Sequence, residues 1–218
     1  MVRNYKIKKM KFRIVPSLLV CLLISVQAVL ADSPLTSIYF SANYPEYPII
    51  EKTGYDRTFN DEVAAFLLDK TKPIDAKAAL INALGWNYDQ TKNAELFRER
   101  LAKKYAATTS TLKLSSLNAD ELMCLGYLMA MDNYFAVDDA INILEMAKSK
   151  KPTSFTISII LAMTRAQKAM ETDFCKVWTL TTDVLNDKSL KRDMKRNSIQ
   201  NTIDHMILYK SYCYAYGE

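Results

Sequence analysis

Few residues of this chain could perform acid–base or nucleophilic chemistry. His205 is the only histidine, which excludes zinc motifs that need two imidazoles and leaves a single imidazole base for a serine or cysteine nucleophile. Adjacent acids, which could act as paired carboxylates, lie instead at predicted helix starts, where they interact favourably with the helix dipole. The sequence therefore favours a non-enzymatic protein, and a small hydrolase that uses carboxylates or His205 is the alternative. The adjacent acids are Asp61-Glu62, Asp120-Glu121 and Asp138-Asp139.

The glycine positions argue against the common phosphate-binding cofactor folds. Gly54, Gly85, Gly126 and Gly217 are the only glycines. No two of them are close enough to form a P-loop or the glycine-rich turn of a dinucleotide-binding fold. We therefore expect no cofactor, and the lone histidine gives no reason to expect a metal site.

Cys124, Cys175 and Cys213 are the cysteines that follow the leader described below. Each lies among apolar residues at helical spacing, and an odd number of cysteines cannot all pair within one chain. Buried thiols are the favoured interpretation, and one disulfide with a spare thiol is the alternative. Either way, a packed core rather than a disulfide framework must stabilise the protein.

Basic residues recur at a spacing of three and four near the start of the last helical stretch. The spacing predicts one face of a helix, with Leu190 and Met194 on the opposite face. Such a face could bind an anionic partner such as lipid headgroups, an acidic polysaccharide or an acidic protein surface. The alternative is a solvated helix face, because Asp187 and Asp193 offset part of the charge. The basic residues are Lys188, Lys191, Arg192, Lys195 and Arg196.

Residues 1–31 have the pattern of a secretory signal peptide. Six basic residues and no acid occur before an apolar run that begins at Ile14, and Val29-Leu30-Ala31 supplies a small-x-Ala ending. We expect cleavage between Ala31 and Asp32 and export to the periplasm or the medium, with membrane contact only transient through the signal peptide. A second possible site follows Ala28. An uncleaved anchor is disfavoured, because a proline and polar residues interrupt a run that must reach about 20 apolar residues.

Removal of this leader changes the charge of the protein. The whole chain has 29 Lys and Arg against 24 Asp and Glu, and without the six basic residues of the leader 23 remain against 24, a net charge of −1. The basic character of the sequence thus belongs to the leader. We expect no nucleic-acid partner.

Residues 32–57 differ in composition from the rest of the chain. Pro34, Pro45 and Pro48 disfavour a helix and push their neighbours toward extended conformations. We predict an irregular Pro- and Tyr-rich arm whose aromatic side chains are buried against a single all-helical domain, residues 58–218. The aromatic residues of the arm are Tyr39, Phe40, Tyr44, Tyr47 and Tyr55.

Apolar periodicity predicts several helices in residues 58–218. The densest is Ile74–Leu84, which follows Pro73, a residue suited to a first turn, and ends before Gly85, which can adopt a left-handed turn. The alanines of this helix predict close packing around Ala79, with Lys77 expected at an ordinary surface position. Two further apolar stripes are Val63-Phe66-Leu67 and Ala94-Phe97-Leu101-Tyr105.

The second half of the chain has the pattern of paired helices. Asn118 to Glu121 approaches a capping box, and Gly126 lies on the apolar face of the helix that follows. A small residue at such a position lets two helix backbones approach closely, and a bulky residue then fills the gap. The corresponding face of the next helix is formed by Ala140, Leu144 and Ala147.

This alternation of small and large residues over about 119–185 resembles the tetratricopeptide repeat. A second pair repeats it, with Leu161-Ala162 in one helix and Phe174, Trp178 and Thr181 in the next. Three features depart from the family: the spacing from Gly126 to Ala140 is two residues longer than usual, the usual first-helix aromatic is absent, and Phe174 stands where a small residue is usual. The resemblance implies an all-α fold of antiparallel helix-pair layers, either tetratricopeptide-like or a short α-solenoid or bundle. Helix-pair packing of another origin is the alternative.

In the tetratricopeptide family, the first helices of the pairs line a concave groove that binds peptide segments. In this chain the groove would be strongly apolar. We therefore expect it to be covered, either by a partner or by the arm at 32–57. We therefore expect an exported helical binding or scaffold protein that engages a protein partner through an apolar groove. By position, the groove would consist of Met123, Tyr127, Met131, Ile159, Met163 and Gln167.

Overall fold

A computed structural model describes residues 33–86 and 92–214 of the chain. The predicted signal peptide and its cleavage site lie outside the described residues and stay predictions. Over the described ranges, no helix is both long enough and apolar enough to cross a membrane.

The described residues form nine α-helices and contain no β-strand, which confirms the predicted all-α fold class. The helices are α1 (Pro48–Asp56), α2 (Asp61–Leu68), α3 (Ile74–Leu84), α4 (Asn93–Lys104), α5 (Ala119–Asp132), α6 (Asp138–Lys150), α7 (Phe155–Ala169), α8 (Phe174–Asn186) and α9 (Arg196–Met206). Short 3-10 helices occur at Ser41–Asn43, Leu114–Ser116 and Ile207–Cys213.

Helix α3 has the bounds that its sequence predicts and lies at the centre of the fold. It starts directly after Pro73 and stops at Gly85, whose positive φ of 71° favours glycine. All of its residues are buried, and it packs against α1, α5 and α7. The expected surface position of Lys77 was wrong, because this side chain is 2% exposed and its Nζ lies 3.6 Å from Asp120 Oδ2 within the fold.

Consecutive helices pack in adjacent pairs, most extensively α5 with α6 and α7 with α8. The predicted capping box begins α5: Asn118 Oδ1 accepts from the Glu121 N–H, and Glu121 Oε2 accepts from the Asn118 N–H, both at 2.9 Å. The close approach expected at Gly126 is also present, because an added Cβ there would lie 2.7 Å from Leu144 Cγ. This packing is compatible with a helical repeat.

The irregular arm predicted for residues 32–57 is shorter in the structure. Residues 33–47, here called the N-terminal segment, contain one 3-10 helix, but Pro48 begins α1 because the fixed φ of proline suits a first helical turn. Phe40 and Tyr44 are buried, as expected for the aromatic residues of the arm. Tyr39 and Tyr55 are 63% and 83% exposed, so the expected burial was wrong for these two.

A disulfide joins Cys175 of α8 to Cys213, the last residue of the 3-10 helix that follows α9. Their Cα atoms are 4.6 Å apart although 38 positions separate them in sequence, since this 3-10 helix packs along α8. Cys124 is a free, buried thiol. The alternative of one disulfide with a spare thiol is therefore correct, and the favoured interpretation of three buried thiols was wrong.

Candidate functional site

The groove predicted from the tetratricopeptide resemblance is not open in the structure. Ser33 Oγ of the N-terminal segment donates to Gln167 Oε1, and Asn82 Nδ2 of α3 donates to the Tyr127 hydroxyl at 3.4 Å. The N-terminal segment and α3 therefore cover this face. Of the two predicted covers, a partner protein and the arm at 32–57, the structure shows the one that belongs to the chain itself. The residues that were expected to line an open groove are buried: Met123, Tyr127, Met131, Ile159, Met163 and Gln167.

Side chains of α3 and of the start of α9 hold the N-terminal segment in place. In α3, Asn82 Oδ1 accepts from the backbone N–H groups of Phe40 and Ser41 at 3.0 Å, and its Nδ2 donates to the Ile38 carbonyl at 2.7 Å. Three more side chains donate to backbone carbonyls of the segment: Lys195 to Asn43 at 2.7 Å, Ser198 to Phe40 at 3.4 Å and Asn201 to Tyr39 at 2.9 Å. The segment is thus an integral layer of the fold.

The predicted basic patch does not form one helix face. Residues 187–195 are a loop between α8 and α9, so the expected helix was wrong there. The backbone of Lys191 pairs across the fold instead, with its N–H donating to the Thr153 carbonyl at 2.7 Å and its carbonyl accepting from the Phe155 N–H at 3.2 Å. Leu190 and Met194 are buried as expected.

The side chains of two of the five basic residues make contacts with other described residues. Arg192 Nη2 donates to the Leu185 carbonyl at 2.6 Å, and its guanidinium lies 4.5 Å from the centroid of the Phe155 ring. Lys195 Nζ lies 2.6 Å from Glu46 Oε1. The exposed members of the set are Lys188, Lys191, Arg192 and Arg196.

A cavity of about 490 Å³ lies between the start of α4, the end of α5 and the start of α6, and we call it the α4–α6 cavity. One wall is apolar and is formed by Leu125, Met129, Ala94, Ala136 and Ala140. Charged side chains line the remainder, namely Lys92, Glu95, Arg98, Asp132 and Asp139. An apolar wall with a few convergent polar groups is typical of ligand sites.

Asp132, the last residue of α5, is the most perturbed of these side chains. Its Oδ2 accepts from the Ala94 N–H at 2.7 Å and so caps the first turn of α4. Its Oδ1 is buried without a hydrogen-bond partner. Burial raises the pKa of Asp132 to about 6, although the N–H groups of Ala94 and Asn93 favour its ionised form. The Oδ1 atom has almost no surface open to the cavity, so Asp132 contributes its charge rather than a free acceptor to the lining.

Arg98 contributes an unpaired donor to the same lining. Its Nε is buried and has no hydrogen-bond partner. An unpaired buried polar atom costs free energy, and both Arg98 Nε and Asp132 Oδ1 are closed to solvent. Elsewhere in the lining, Lys92 and Glu95 pair with each other at 3.1 Å and are exposed.

An aromatic group adjoins the cavity in the turn between α5 and α6. The ring centroids of Trp86 and Tyr134 are 5.7 Å apart, and those of Tyr134 and Phe135 are 4.2 Å apart. Phe135 is 75% exposed, and its neighbour Ala136 lines the cavity. An exposed aromatic side chain next to a cavity extends the apolar surface available to a ligand.

His205 and the adjacent acids, the residues that a hydrolase would use, lie in positions that the helices explain. His205 is in the last turn of α9, with its ring centroid 6.0 Å from that of Tyr209, and Asp204 accepts from Gln200 Nε2 at 2.7 Å. The adjacent acids occupy the first turns of α2, α5 and α6, as their sequence positions predict. In the part of the chain that the structure describes, no group of three His, Cys, Asp or Glu side chains could hold a metal ion.

No family model matches this chain, and no curated protein and no solved structure is significantly similar to it. The structure defines an all-α protein whose consecutive helices pack in adjacent pairs.

Sequence reasoning missed both Asp132 and Arg98. One local signal was available, because an acid at the C-terminal end of a helix is disfavoured by the helix dipole. An aspartate that ends a helix therefore needs another reason to be there. Here the reason is the N-terminus of α4, which approaches Asp132 only in the folded chain.

Proposed function

We propose that this protein is a non-enzymatic helical binding protein that holds an extended segment of a protein partner in the α4–α6 cavity. The observation that carries the proposal is the lining of this cavity, which combines an apolar wall with the opposite charges of Asp132 and Arg98. One is a hydrogen-bond acceptor and the other is a donor.

A peptide backbone has the matching groups. Each peptide unit offers one N–H donor and one carbonyl acceptor, which suits a lining that contains both an acceptor residue, Asp132, and a donor residue, Arg98. The apolar wall at Leu125 and Met129 can take a side chain of the bound segment, and the volume of about 490 Å³ is within the range of small-ligand sites. The exposed Phe135 ring provides a further apolar contact beside it.

The predicted architecture and location belong to the same proposal. Close packing of Gly126 against Leu144 supports a tetratricopeptide-like origin for α5 to α8, with the partner bound at the α4–α6 cavity rather than in the filled first-helix groove. The Cys175–Cys213 disulfide supports an exported protein, because structural disulfides persist in oxidising compartments. The signal peptide would direct export and be cleaved at Ala31–Asp32.

A peptide display library tests the proposal, with individual peptides remeasured by fluorescence polarisation. Ala136→Trp should fill the mouth of the cavity from an exposed position and weaken binding of the selected peptides at least tenfold. Ala65→Trp is the matched control, because Ala65 is exposed on α2 away from the cavity. If no peptide is selected, or if both variants bind as the wild type does, the proposal is wrong. Circular dichroism checks that both variants keep their helical content.

A further inference from the structure

A second cavity, also of about 490 Å³, lies on a different part of the molecule. It is formed by the first turn of α3, the turn that precedes α7 and the 187–195 loop, and we call it the α3–α7 cavity. It shares no lining residue with the α4–α6 cavity. An inference about it is therefore independent of the proposed peptide site.

Positive side chains predominate in this lining. Lys151 comes from the turn before α7, and Lys191, Arg192 and Lys195 come from the 187–195 loop. The acids in the lining are Asp75 and Asp193. Cationic side chains that converge on one cavity from two segments create a positive potential inside it, which attracts anions.

Both acids of the lining already have hydrogen-bond donors. Asp75 Oδ2 accepts from the Tyr44 hydroxyl at 2.9 Å, and its Oδ1 accepts from the Ala76 N–H at 2.9 Å. Asp193 Oδ2 accepts from Ser154 Oγ at 2.7 Å, and its Oδ1 accepts from the Thr156 N–H at 2.8 Å. These carboxylates therefore have structural roles at the starts of α3 and α7, and they are not poised to bind a metal cation.

The cations of the lining are engaged to different degrees, and Arg192 donates to the Leu185 carbonyl at 2.6 Å. Lys195 pairs with Glu46, and Lys151 lies 3.3 Å from Asp120 Oδ1, a carboxylate that also faces Lys77. Lys191 is exposed and forms no ion pair with another described residue. The first turn of α3, which has no side-chain cap, adds its positive dipole end to the same lining.

We infer that the α3–α7 cavity binds a small organic anion that carries a phosphate or sulfate group. Lys191, unpaired among the described residues, provides a charge-assisted donor for such oxyanions, and the remaining N–H groups of Lys151, Lys195 and Arg192 add to it. The volume suits a sugar-sized molecule attached to the anionic group. This assigns only part of the predicted basic patch to a site, because Lys188 and Arg196 do not line the cavity.

The test is calorimetric titration of the protein with glucose 6-phosphate, glucose 6-sulfate and uncharged glucose. We expect the two anions to bind with an affinity that falls as salt is raised, and glucose not to bind. Lys151→Gln combined with Lys191→Gln should weaken anion binding at least tenfold. Lys188→Gln is the matched control, since it removes an exposed lysine of the same loop outside the cavity.

The outcomes separate the cavity from a diffuse charged surface. An unchanged affinity in the double variant, or an equal loss in Lys188→Gln, would overturn the cavity assignment. A second arm measures binding to vesicles that contain phosphatidylglycerol. Vesicle binding that free glucose 6-phosphate displaces supports the cavity with a lipid headgroup as the source of the phosphate group. Vesicle binding without any binding of the free anions would show membrane adsorption and overturn the assignment.

Discussion

Gly126 and Leu144 meet where α5 and α6 cross closely: a Cβ added to Gly126 would lie 2.7 Å from Leu144 Cγ and 3.2 Å from the Ala140 carbonyl oxygen. Alanine favours a helix over glycine by about 1 kcal/mol, whereas overpacking costs about 1–3 kcal/mol. We expect Gly126→Ala to lower the free energy of unfolding, measured by urea denaturation, because the nearby carbonyl belongs to the backbone and cannot rotate away.

A double-mutant cycle identifies the cause of this loss. Gly126→Ala should cost less in a Leu144→Ala background, where the side chain that meets the new methyl group is absent. Stabilisation by Gly126→Ala alone would mean that the helices separate without cost and that the close crossing is unimportant for stability.

The burial of Lys77 changes the expected effect of replacing it. If Lys77 were a surface residue, its replacement by alanine would change the free energy of unfolding by no more than about 0.5 kcal/mol. The side chain is instead 2% exposed and belongs to the central helix α3. We expect Lys77→Ala to cost about 2 kcal/mol or more, because large-to-small changes in a core leave a cavity. Lys77→Met, which keeps the length of the stem, should cost less, and equal losses in urea denaturation would contradict a packing role. Lys70→Ala provides a surface comparison, because Lys70 is exposed.

Asp132 should make the stability of the protein depend on pH. Its pKa is raised from 3.8 to about 6 in the folded chain, so the folded state binds this proton more tightly than the unfolded state does. The resulting stabilisation is complete below about pH 4 and is lost as the pH rises through about 6. Between pH 4 and pH 7, we expect the free energy of unfolding of the wild type to fall by about 1–3 kcal/mol relative to that of Asp132→Asn. Urea denaturation at each pH measures this difference.

Asp139→Asn controls for the overall charge of the cavity. Asp139 is an exposed acid in the same lining. If Asp139→Asn changes the pH profile as much as Asp132→Asn does, the effect comes from the summed charge rather than from the buried carboxyl group.

The disulfide should contribute measurably to stability. Closing a loop of 38 residues corresponds to about 4 kcal/mol in the chain-entropy description. We expect dithiothreitol to lower the Tm of the wild type and to leave the Tm of the Cys175→Ser, Cys213→Ser double variant unchanged. A thiol assay on the denatured chain that starts at Asp32 should find one thiol, that of Cys124, before reduction. Three thiols in the oxidised protein would contradict the Cys175–Cys213 pairing.

The features that could be predicted from the sequence depend on neighbours along the chain. The bounds of α3 follow from Pro73 and Gly85, and the start of α5 follows from Asn118 and Glu121, since both signals act within one or two helical turns. Even the crossing at Gly126 was visible as a pattern, because small residues recur where helices approach closely.

The 187–195 loop could not be predicted because distant residues determine it. Its charges have helical spacing, but Asp193 receives hydrogen bonds from Ser154 and Thr156, and Lys191 pairs with the backbone of Thr153. These bonds hold the loop against the start of α7. A periodicity of charged residues cannot reveal such partners, which are nearly 40 positions away.

The candidate cavity was beyond sequence reasoning for the same reason. Asp132 and Ala94 are 38 positions apart, and their hydrogen bond forms only when α4 and α5 pack together. The covered groove is a similar case, since Ser33 reaches Gln167 across 134 positions. The tetratricopeptide resemblance indicated which residues would form the groove. Which part of the chain covers the groove is determined only by the folded structure.

The attachment of the N-terminal segment has a consequence for the order of folding. Its hydrogen bonds to Lys195, Ser198 and Asn201 span 152, 158 and 162 positions. A ribosome that adds about 5–20 residues per second makes the segment roughly 8–30 s before these partners exist. Contacts of such long range are also slow to form. The contacts of the N-terminal segment with Lys195 and α9 are therefore the last of its bonds to form, and until then only partners such as Asn82 of α3 can hold it.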